Sequence, residues 1–416
     1  MDFKEEDQWG KRFLDLAEYI KPYLEEKERI EEQWQNPLND NHFKDLLLKE
    51  LGGTEKDWDS WKWHISHRLI DLDVIADLFK VTLSEKKDME SVTLSHRMGV
   101  SPFIVTRFTS KESPLARQFL PSILEVKHFC DGELDPMLEE KMSPVPHLTR
   151  RYPDRVILKV TNVCGSYCRF CQRRRDHGSR DEHIAKKDLE LAFNYIAQHD
   201  EIRDVLVTGG DPLTLTNEHL QHILEKIRQI PSVEIIRIGT RMPIVIPQRV
   251  DQGLLKLITK YAPIYINLHI NHPMEISPEM TKACRELLLS GALLGSQSVL
   301  LRGVNDSDHV LRYLFQRLLA IGVRPYYLFH AKNISGTTHF RTSVAKGVHL
   351  IESLRGFTSG LAIPSYVVNM PGGLGKVPLL PQTYIGNLED DPILFRTWEN
   401  KIVGYSDKNL DSEVTY

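Results

Sequence analysis

Apolar positions follow one rhythm in the first third of the chain and another beyond it. Phe13, Leu16, Ala17, Ile20 and Leu24 recur at helical spacing among Glu and Lys, which predicts an amphipathic helix. Trp58, Trp61, Trp63 and Ile65 read as a second, buried helical face. Residues 1–150 are therefore expected to form a charged helical region, closed by Ser143-Pro144-Val145-Pro146. Two prolines there fix backbone angles and interrupt any helix, so this run predicts a rigid linker.

From about residue 155 the pattern changes to short β-branched runs alternating with amphipathic helices. The runs are Val156–Thr161, Asp204–Thr208, Glu234–Gly239, Ile264–Ile270, Gly295–Leu301 and Arg324–Phe329. Helical spacing falls between them at Lys187–Gln198, Glu218–Gln229, Glu279–Ser290 and Asp308–Ala320. Such βα units imply an α/β fold with a parallel sheet and functional groups on the loops after the strands. Six units are too few to close an eight-stranded barrel, so the expectation is a partial (β/α)6 barrel open on one side. A seventh run, Ile363–Val368, leads into Pro371-Gly372-Gly373-Leu374-Gly375-Lys376. The barrel is placed at residues 151–376 and a short C-terminal extension at 377–416.

Composition narrows the classes. At 416 residues the chain exceeds the ~250–300 at which one core stops growing, so a large domain with additions is expected. A net charge of -4 argues against nucleic acid as the main partner, and Arg173-Arg174-Arg175 is too short to reverse that. The start Met1–Asp7 is acidic where a secretion signal would be basic. The most apolar stretch, Leu287–Leu301, is broken by Ser290, Ser296 and Gln297, so no membrane span is expected. These readings place the protein in the cytoplasm. Five cysteines suit a reducing compartment without disulfides, with Cys130 and Cys284 read as small buried apolar residues.

The other three cysteines carry chemistry. Cys164, Cys168 and Cys171 stand in a C-x3-C-x2-C run just after the first predicted strand. Zinc would want a fourth Cys or His nearby, and neither His177 nor His183 stands at a usual zinc-site spacing. A cluster of four irons held by three thiolates keeps one iron open to a small molecule. The spacing resembles the signature of radical S-adenosylmethionine enzymes, in which the open iron holds that cofactor's amino and carboxylate groups.

Two glycine-rich segments add to this. Gly209-Gly210-Asp211 follows the second strand run, where glycines allow close backbone approach and Asp211 offers an acceptor for an ammonium; the same triplet is also an ordinary turn. The run ending at Lys376 is not a phosphate-binding P-loop, since Val377 follows the lysine and Met370 stands where a glycine is needed. Lys376 is either a solvated surface lysine or the anchor for an aldehyde cofactor. Arg150, Arg151 and Arg155 supply guanidinium groups for a phosphate and Tyr152 a ring for a pyridine, which together suggest pyridoxal phosphate.

The order of these motifs closely resembles the lysine 2,3-aminomutase family. The resemblance runs from Leu148–Arg155 through the cysteine run and Gly-Gly-Asp to Pro371–Lys376. Further agreement comes from Leu268–Pro273, Gln297–Asp306 and Arg324–Tyr327, so that about residues 50–400 are covered. The resemblance implies a 4Fe-4S cluster on the three cysteines and pyridoxal phosphate on Lys376, held by Tyr152, Arg151 and Arg155. It implies S-adenosylmethionine against Gly209, Gly210, Asp211, His269 and Gln297, and a substrate α-carboxylate on Arg173. The implied reaction is a radical migration of an amino group from C2 to C3 of an amino acid. An electron-donating protein partner and a homo-oligomer are expected as well, with the N-terminal helical segment as the contact.

Two positions depart from that pattern. Where lysine 2,3-aminomutases meet a distal ammonium with two aspartates, this chain has Lys332 and Asn369. A cation and an amide suit a carboxylate, and reversing the charge shifts preference by on the order of 10². L-Glutamate, converted to β-glutamate, is therefore the expected substrate, and a lysine 2,3-aminomutase with an unusual pocket is the alternative. The tail from Val403 to Tyr416 also lacks the cysteines that bind structural zinc in family members, so zinc is not expected and Cys284 has no evident partner.

Overall fold

Seven parallel strands curl into an open half-barrel in the computed structural model, which describes residues 8–35, 40–387 and 393–406. The acidic start Met1–Asp7 and the end of the cysteine-free tail, residues 407–416, lie outside the described residues. Strand β1 (Leu148–Tyr152) forms a hairpin with β2 (Arg155–Lys159). Then β3 (Asp204–Thr208), β4 (Ile235–Thr240), β5 (Ile264–Leu268), β6 (Ala292–Leu300), β7 (Arg324–His330) and β8 (Ser365–Asn369) follow in parallel. Strand β9 (Lys376–Pro378) turns back antiparallel on β8. The parallel strands β2–β8 correspond to the predicted runs within a few residues. Flanking hairpin strands β1 and β9 are additions, too short and too polar to announce themselves by alternation.

Helices Lys186–Ala197, Asn217–Arg228, Gln252–Lys260, Pro278–Leu289, Asp308–Ala320 and Val344–Leu354 supply the crossovers. The third and last were not singled out from the sequence. Alternation along the strands divides the labour. Val156, Leu158, Val205, Val207, Ile236 and Ile238 are buried in the main core cluster, which also takes in the helices. The intervening positions Arg155, Ile157, Leu206, Arg237, Gly239, Asn267, Gln297 and Phe329 line the barrel interior instead. Interior positions are thus free to carry charge. That is why guanidinium groups occur inside otherwise apolar strands.

Outside the barrel the expectations hold in part. Trp58 and Trp63 are buried in the main core, with Trp61 and Ile65 packed against it. The N-terminal helix Gln8–Gln35 instead seats Tyr23 and Ile30 on Val310 and Tyr313 of a barrel helix. Phe13, Leu16 and Leu24 stay exposed, and of the apolar stripe read from the sequence Ile20 packs against that cluster. Cys284 is buried, but Cys130 is exposed because it sits in a surface turn, Phe129–Asp131. Beyond β9 a separate three-stranded antiparallel sheet forms from β10 (Tyr384–Asn387), β11 (Ile393–Arg396) and β12 (Ile402–Tyr405), which no pattern in the sequence announced.

Candidate active site

A cavity of about 270 Å³ occupies the barrel interior, and every residue that the family resemblance assigned to the cluster, the cofactors and the substrate lines it. Arg150 does not. A register shift between Arg150 and Tyr152 breaks the alternation of β1. Arg151 and Tyr152 both line the cavity as a result, while Arg150 turns out to Glu201 at 2.6 Å and Tyr195 Oη at 3.1 Å.

At one end lie Cys164, Cys168 and Cys171, on the loop that leaves β2. Burial and mutual repulsion push the Cys171 thiol up to about 12, and Cys164 and Cys168 are raised too. The Arg173 N–H donates to Cys171 Sγ at 3.3 Å, and Arg241 Nη1 to Cys168 Sγ at 2.7 Å. Among the described residues no three His, Cys, Asp or Glu side chains converge on a single metal ion. A cluster spreads its thiolates over separate irons, so these three soft donors fit iron–sulfur ligation.

Gly209 and Gly210 explain how this loop is held. A side chain on Gly210 would stand 2.6 Å from the Asn162 carbonyl carbon and nearer still to Val163 O. Gly209 takes φ +128°, a conformation that side-chain-bearing residues rarely adopt. Backbone N–H groups of Gly210 and Asp211 donate to Thr161 O at 2.5 Å and Val163 O at 2.7 Å. What the glycines admit here is the cysteine loop itself. Asp211 differs from expectation as well. Its buried carboxylate accepts from Thr240 Oγ1 and from the backbone of Leu213, Arg241 and Met242 at 2.6–3.1 Å, leaving it a brace between β3 and β4 rather than an open acceptor.

His269 and Gln297 complete this half. His269 packs on Phe170 at 5.4 Å, and burial, reinforced by Arg241, pushes its pKa down to about 3, so the imidazole is neutral. Its Nε2 lies 3.2 Å from Asn271 Nδ2, which makes Nε2 the acceptor. A register irregularity between Ser296 and Gln297 sits where Gln297 meets β7. Asn267, on β5 and lining the same cavity, has a buried amide nitrogen without a partner among the described residues. An orphaned donor beside neutral polar groups fits a polar cofactor.

At the other end Lys376 opens β9, directly opposite Asn369 in the β8–β9 register. Its ammonium lies 5.6 Å from the Tyr152 ring, 5.4 Å from Tyr327 and 6.0 Å from Phe329. Burial lowers its pKa to about 8, with Arg237, Arg155 and Arg151 adding repulsion. The residue as a whole keeps solvent-accessible surface, while its amine end is set among those cations and three rings. A lysine that deprotonates easily, beside three guanidinium groups, fits an aldehyde bearing a phosphate. Arg155 lies over the Tyr152 ring at 4.7 Å, and Arg151 keeps a buried Nε without a partner among the described residues.

Between the two ends sit Arg173, Lys332 and Asn369. Arg173 is gripped by Glu139, Nε to Oε2 at 2.8 Å and Nη2 to Oε1 at 2.9 Å. Lys332 follows the end of β7, and burial lowers its pKa to about 7, Glu139 opposing this while Arg173, Arg151 and Lys376 add to it. The Asn369 amide nitrogen is buried and has no partner among the described residues. Glu139, Arg237, Arg241 and Asn267 escaped the sequence reading. A charged or amide residue at the inward position of a β-branched run was the available signal for Arg237 and Asn267. Glu139, in an irregular acidic loop, offered none.

The chain matches the family model described as Lysine-2,3-aminomutase over residues 351–413 and that of the Radical SAM superfamily over residues 158–309. Over 399 residues it is 42% identical to the glutamate 2,3-aminomutase of Clostridioides difficile, spanning 95% of this chain and 94% of that one. The chain belongs to the lysine 2,3-aminomutase family. The L-lysine 2,3-aminomutase of Clostridium subterminale is 41% identical over 87% of this chain and 86% of its own. That of Bacillus subtilis is 38% identical over 90% and 79%. The aminomutase is thus a radical SAM isomerase, a class that works with a 4Fe-4S cluster and S-adenosylmethionine. No helix among the described residues is long and apolar enough to cross a membrane.

Proposed function

We propose that this aminomutase moves the α-amino group of L-glutamate to C3, giving β-glutamate. The observation that carries the reading is the wall formed by Lys332 and Asn369, a cation and a free amide donor in one cavity with Arg173. Two positive groups suit two carboxylates, and a substrate ammonium in that wall would meet the like charge of Lys332. L-Lysine is the second reading, because relatives of both names stand at nearly equal identity.

The residues divide the work. When bound, the cluster with S-adenosylmethionine supplies a carbon radical that abstracts hydrogen, and pyridoxal phosphate supplies a ring that delocalises an unpaired electron. Cys164, Cys168 and Cys171 hold the cluster. Gly209 and Gly210 set the loop against it, and Asp211 braces that loop from behind. Neutral His269, Gln297 and Asn267 orient S-adenosylmethionine without adding charge. Lys376 anchors pyridoxal phosphate, its amine losing a proton readily enough to do so near neutral pH. Arg151, Arg155 and Arg237 would hold its phosphate, and Tyr152 would offer an aromatic surface to its ring. Arg173 takes the substrate's α-carboxylate, Lys332 and Asn369 its side-chain carboxylate, and Phe170, Phe329 and Phe340 keep water from the reacting carbons.

Residues 151–376 form the catalytic unit in this reading, with 1–150 and 377–416 as additions. The protein acts in the cytoplasm as a homo-oligomer fed by an electron-donating protein. Exposed Phe13, Leu16 and Leu24 support a contact along the N-terminal helix. The test is anaerobic. Enzyme loaded with iron, sulfide, pyridoxal phosphate and S-adenosylmethionine is reduced and offered L-glutamate and L-lysine together. Predominant β-glutamate supports the reading, and predominant β-lysine overturns it.

A further inference from the structure

Residues Glu133–Met142 form a strap across the open side of the barrel. Glu133 N donates to Asn333 O at 3.1 Å, next to Lys332, and Gly372 N donates to Pro136 O at 3.0 Å in the turn before Lys376. Arg150 N donates to Met142 O at 2.9 Å and Arg151 Nη2 to Met137 O at 3.1 Å, both from β1. The strap therefore ties together the three segments that carry Lys332, Lys376 and Arg151. Glu139 is its one side chain gripping Arg173 by two hydrogen bonds, and it is only 3% exposed.

The geometry of that grip is selective. A guanidinium offers two edges to carboxylates, one through Nε and Nη2 and one through Nη1 and Nη2. Glu139 occupies the first. Among the described residues nothing accepts from Nη1, so the second edge is left to the cavity that Arg173 lines. Across the same space Lys332 faces Glu139, Arg173, Arg151 and Lys376, a set with one anion among three cations. Glu139 in turn faces Arg173, Lys332, Lys159 and, at 3.7 Å, Arg175. Burial works to raise its carboxyl, but Arg173 first, then Lys332 and Lys159, outweigh that and hold it at about 2, so it stays ionised.

Resting on the reading of the substrate as a dicarboxylic amino acid, we propose that Glu139 is the positioning residue of that specificity. It turns the Nη1–Nη2 edge of Arg173 toward one carboxylate and supplies the anion opposite Lys332, which meets the other. Without it, two neighbouring cations repel in the empty pocket and Arg173 is free to swing. Its effect falls on binding rather than on the chemical step, because Glu139 acts through the Nε–Nη2 edge of the Arg173 guanidinium.

The experiment compares holoenzyme of the wild type, Glu139→Gln and Glu139→Asp, each with iron and pyridoxal phosphate content recorded. First the wild type is offered L-glutamate and L-lysine. Preference for L-lysine overturns the substrate reading and this proposal with it. Given preference for L-glutamate, Glu139→Gln is expected to raise KM by about tenfold or more, the scale of one charged hydrogen bond, with kcat within about threefold. The alkaline rise of its KM is expected to begin at lower pH than in the wild type, since Lys332 has lost its anionic neighbour. Glu139→Asp keeps the charge, so it retains the wild-type pH profile with a smaller rise in KM. Should Glu139→Gln fail to retain iron or to fold, the Asp variant decides alone: raised KM with kcat and profile retained supports the proposal. Unchanged KM and profile in either folded variant overturns it while leaving the substrate reading intact, as does loss confined to kcat.

Discussion

The Tyr152 hydroxyl accepts the backbone N–H of Lys376 at 2.9 Å, joining residues from opposite ends of the nine-stranded sheet. The half-barrel has no ladder across its open side, so this bond and the strap above it bring β1 and β9 together. It also places the ring 5.6 Å from the Lys376 ammonium. Tyr152→Phe keeps the ring and removes the bond. The expected loss is about 1 kcal/mol of stability, and about fivefold weaker retention of pyridoxal phosphate if the same energy is lost on binding. Equilibrium dialysis with absorbance readout measures this, and unchanged retention would show that the link does not position Lys376.

Lys332 makes the pH dependence specific. Its pKa in the folded protein, about 7, lies below the ordinary lysine value of 10.5. Between those values the unfolded chain binds more protons, so stability of the cofactor-free protein rises as pH rises through that window. In the proposed reading, binding of the substrate's side-chain carboxylate runs the other way, since it needs the Lys332 ammonium. KM for L-glutamate is therefore expected to climb above about pH 7, approaching about tenfold per pH unit. Lys332→Arg, charged throughout, is expected to flatten that limb. A limb that survives in the arginine variant assigns the titration to another group.

Why the sequence disclosed some of this and hid the rest follows from which residues obey a period. The strands β2 to β8 show because Val156, Val205, Ile236 and their neighbours must alternate against the helices packed outside. The short flanking strands β1 and β9 consist of Leu148–Tyr152 and Lys376–Pro378, where pairing is dictated by turn and cavity instead of burial. The cysteine run and the lysine turn were visible because their chemistry needs fixed spacing along the chain. Glu139 and Arg173 meet across 34 positions in sequence, through a loop with no periodicity, so nothing local announced the pair. Asp211 was legible as important, but which way its carboxylate faced depended on Thr240 and Arg241, in a different βα unit.

Gly210 tests the packing of the cysteine loop independently of any cofactor. A methyl group there collides with backbone of Asn162 and Val163, not with a side chain that could swing away. The loop would have to move, along with the bonds from Gly210 and Asp211 to Thr161 and Val163. Gly210→Ala is expected to cost about 1–3 kcal/mol in the cofactor-free protein, the scale of overpacking. After reconstitution its iron content is expected to fall well below that of the wild type. Thermal unfolding and iron analysis report the two effects separately. Full iron loading would mean the loop tolerates displacement.

Arg241 links the cluster end to the protein's buried polar network. Nη1 donates to Cys168 Sγ, Nη2 donates to Gln118 at 2.6 Å and Glu275 at 2.9 Å, and the guanidinium lies over Phe119 at 4.4 Å. With Cys168 as the proposed cluster ligand, a cationic donor on its thiolate favours the more negative, reduced state of the iron–sulfur centre. Replacing Arg241 alone would strand Glu275, which is buried, and breaking such a pair costs about 3–5 kcal/mol. The informative variant is therefore Arg241→Met with Glu275→Gln, which removes both charges together. Its cluster is expected to become harder to reduce than that of the wild type, while Arg241→Lys, keeping the charge but not the fork, falls between. A spectroscopic redox titration without substrate reads the shift directly. An unchanged potential in the double variant would make Arg241 a structural brace for the loop and nothing more.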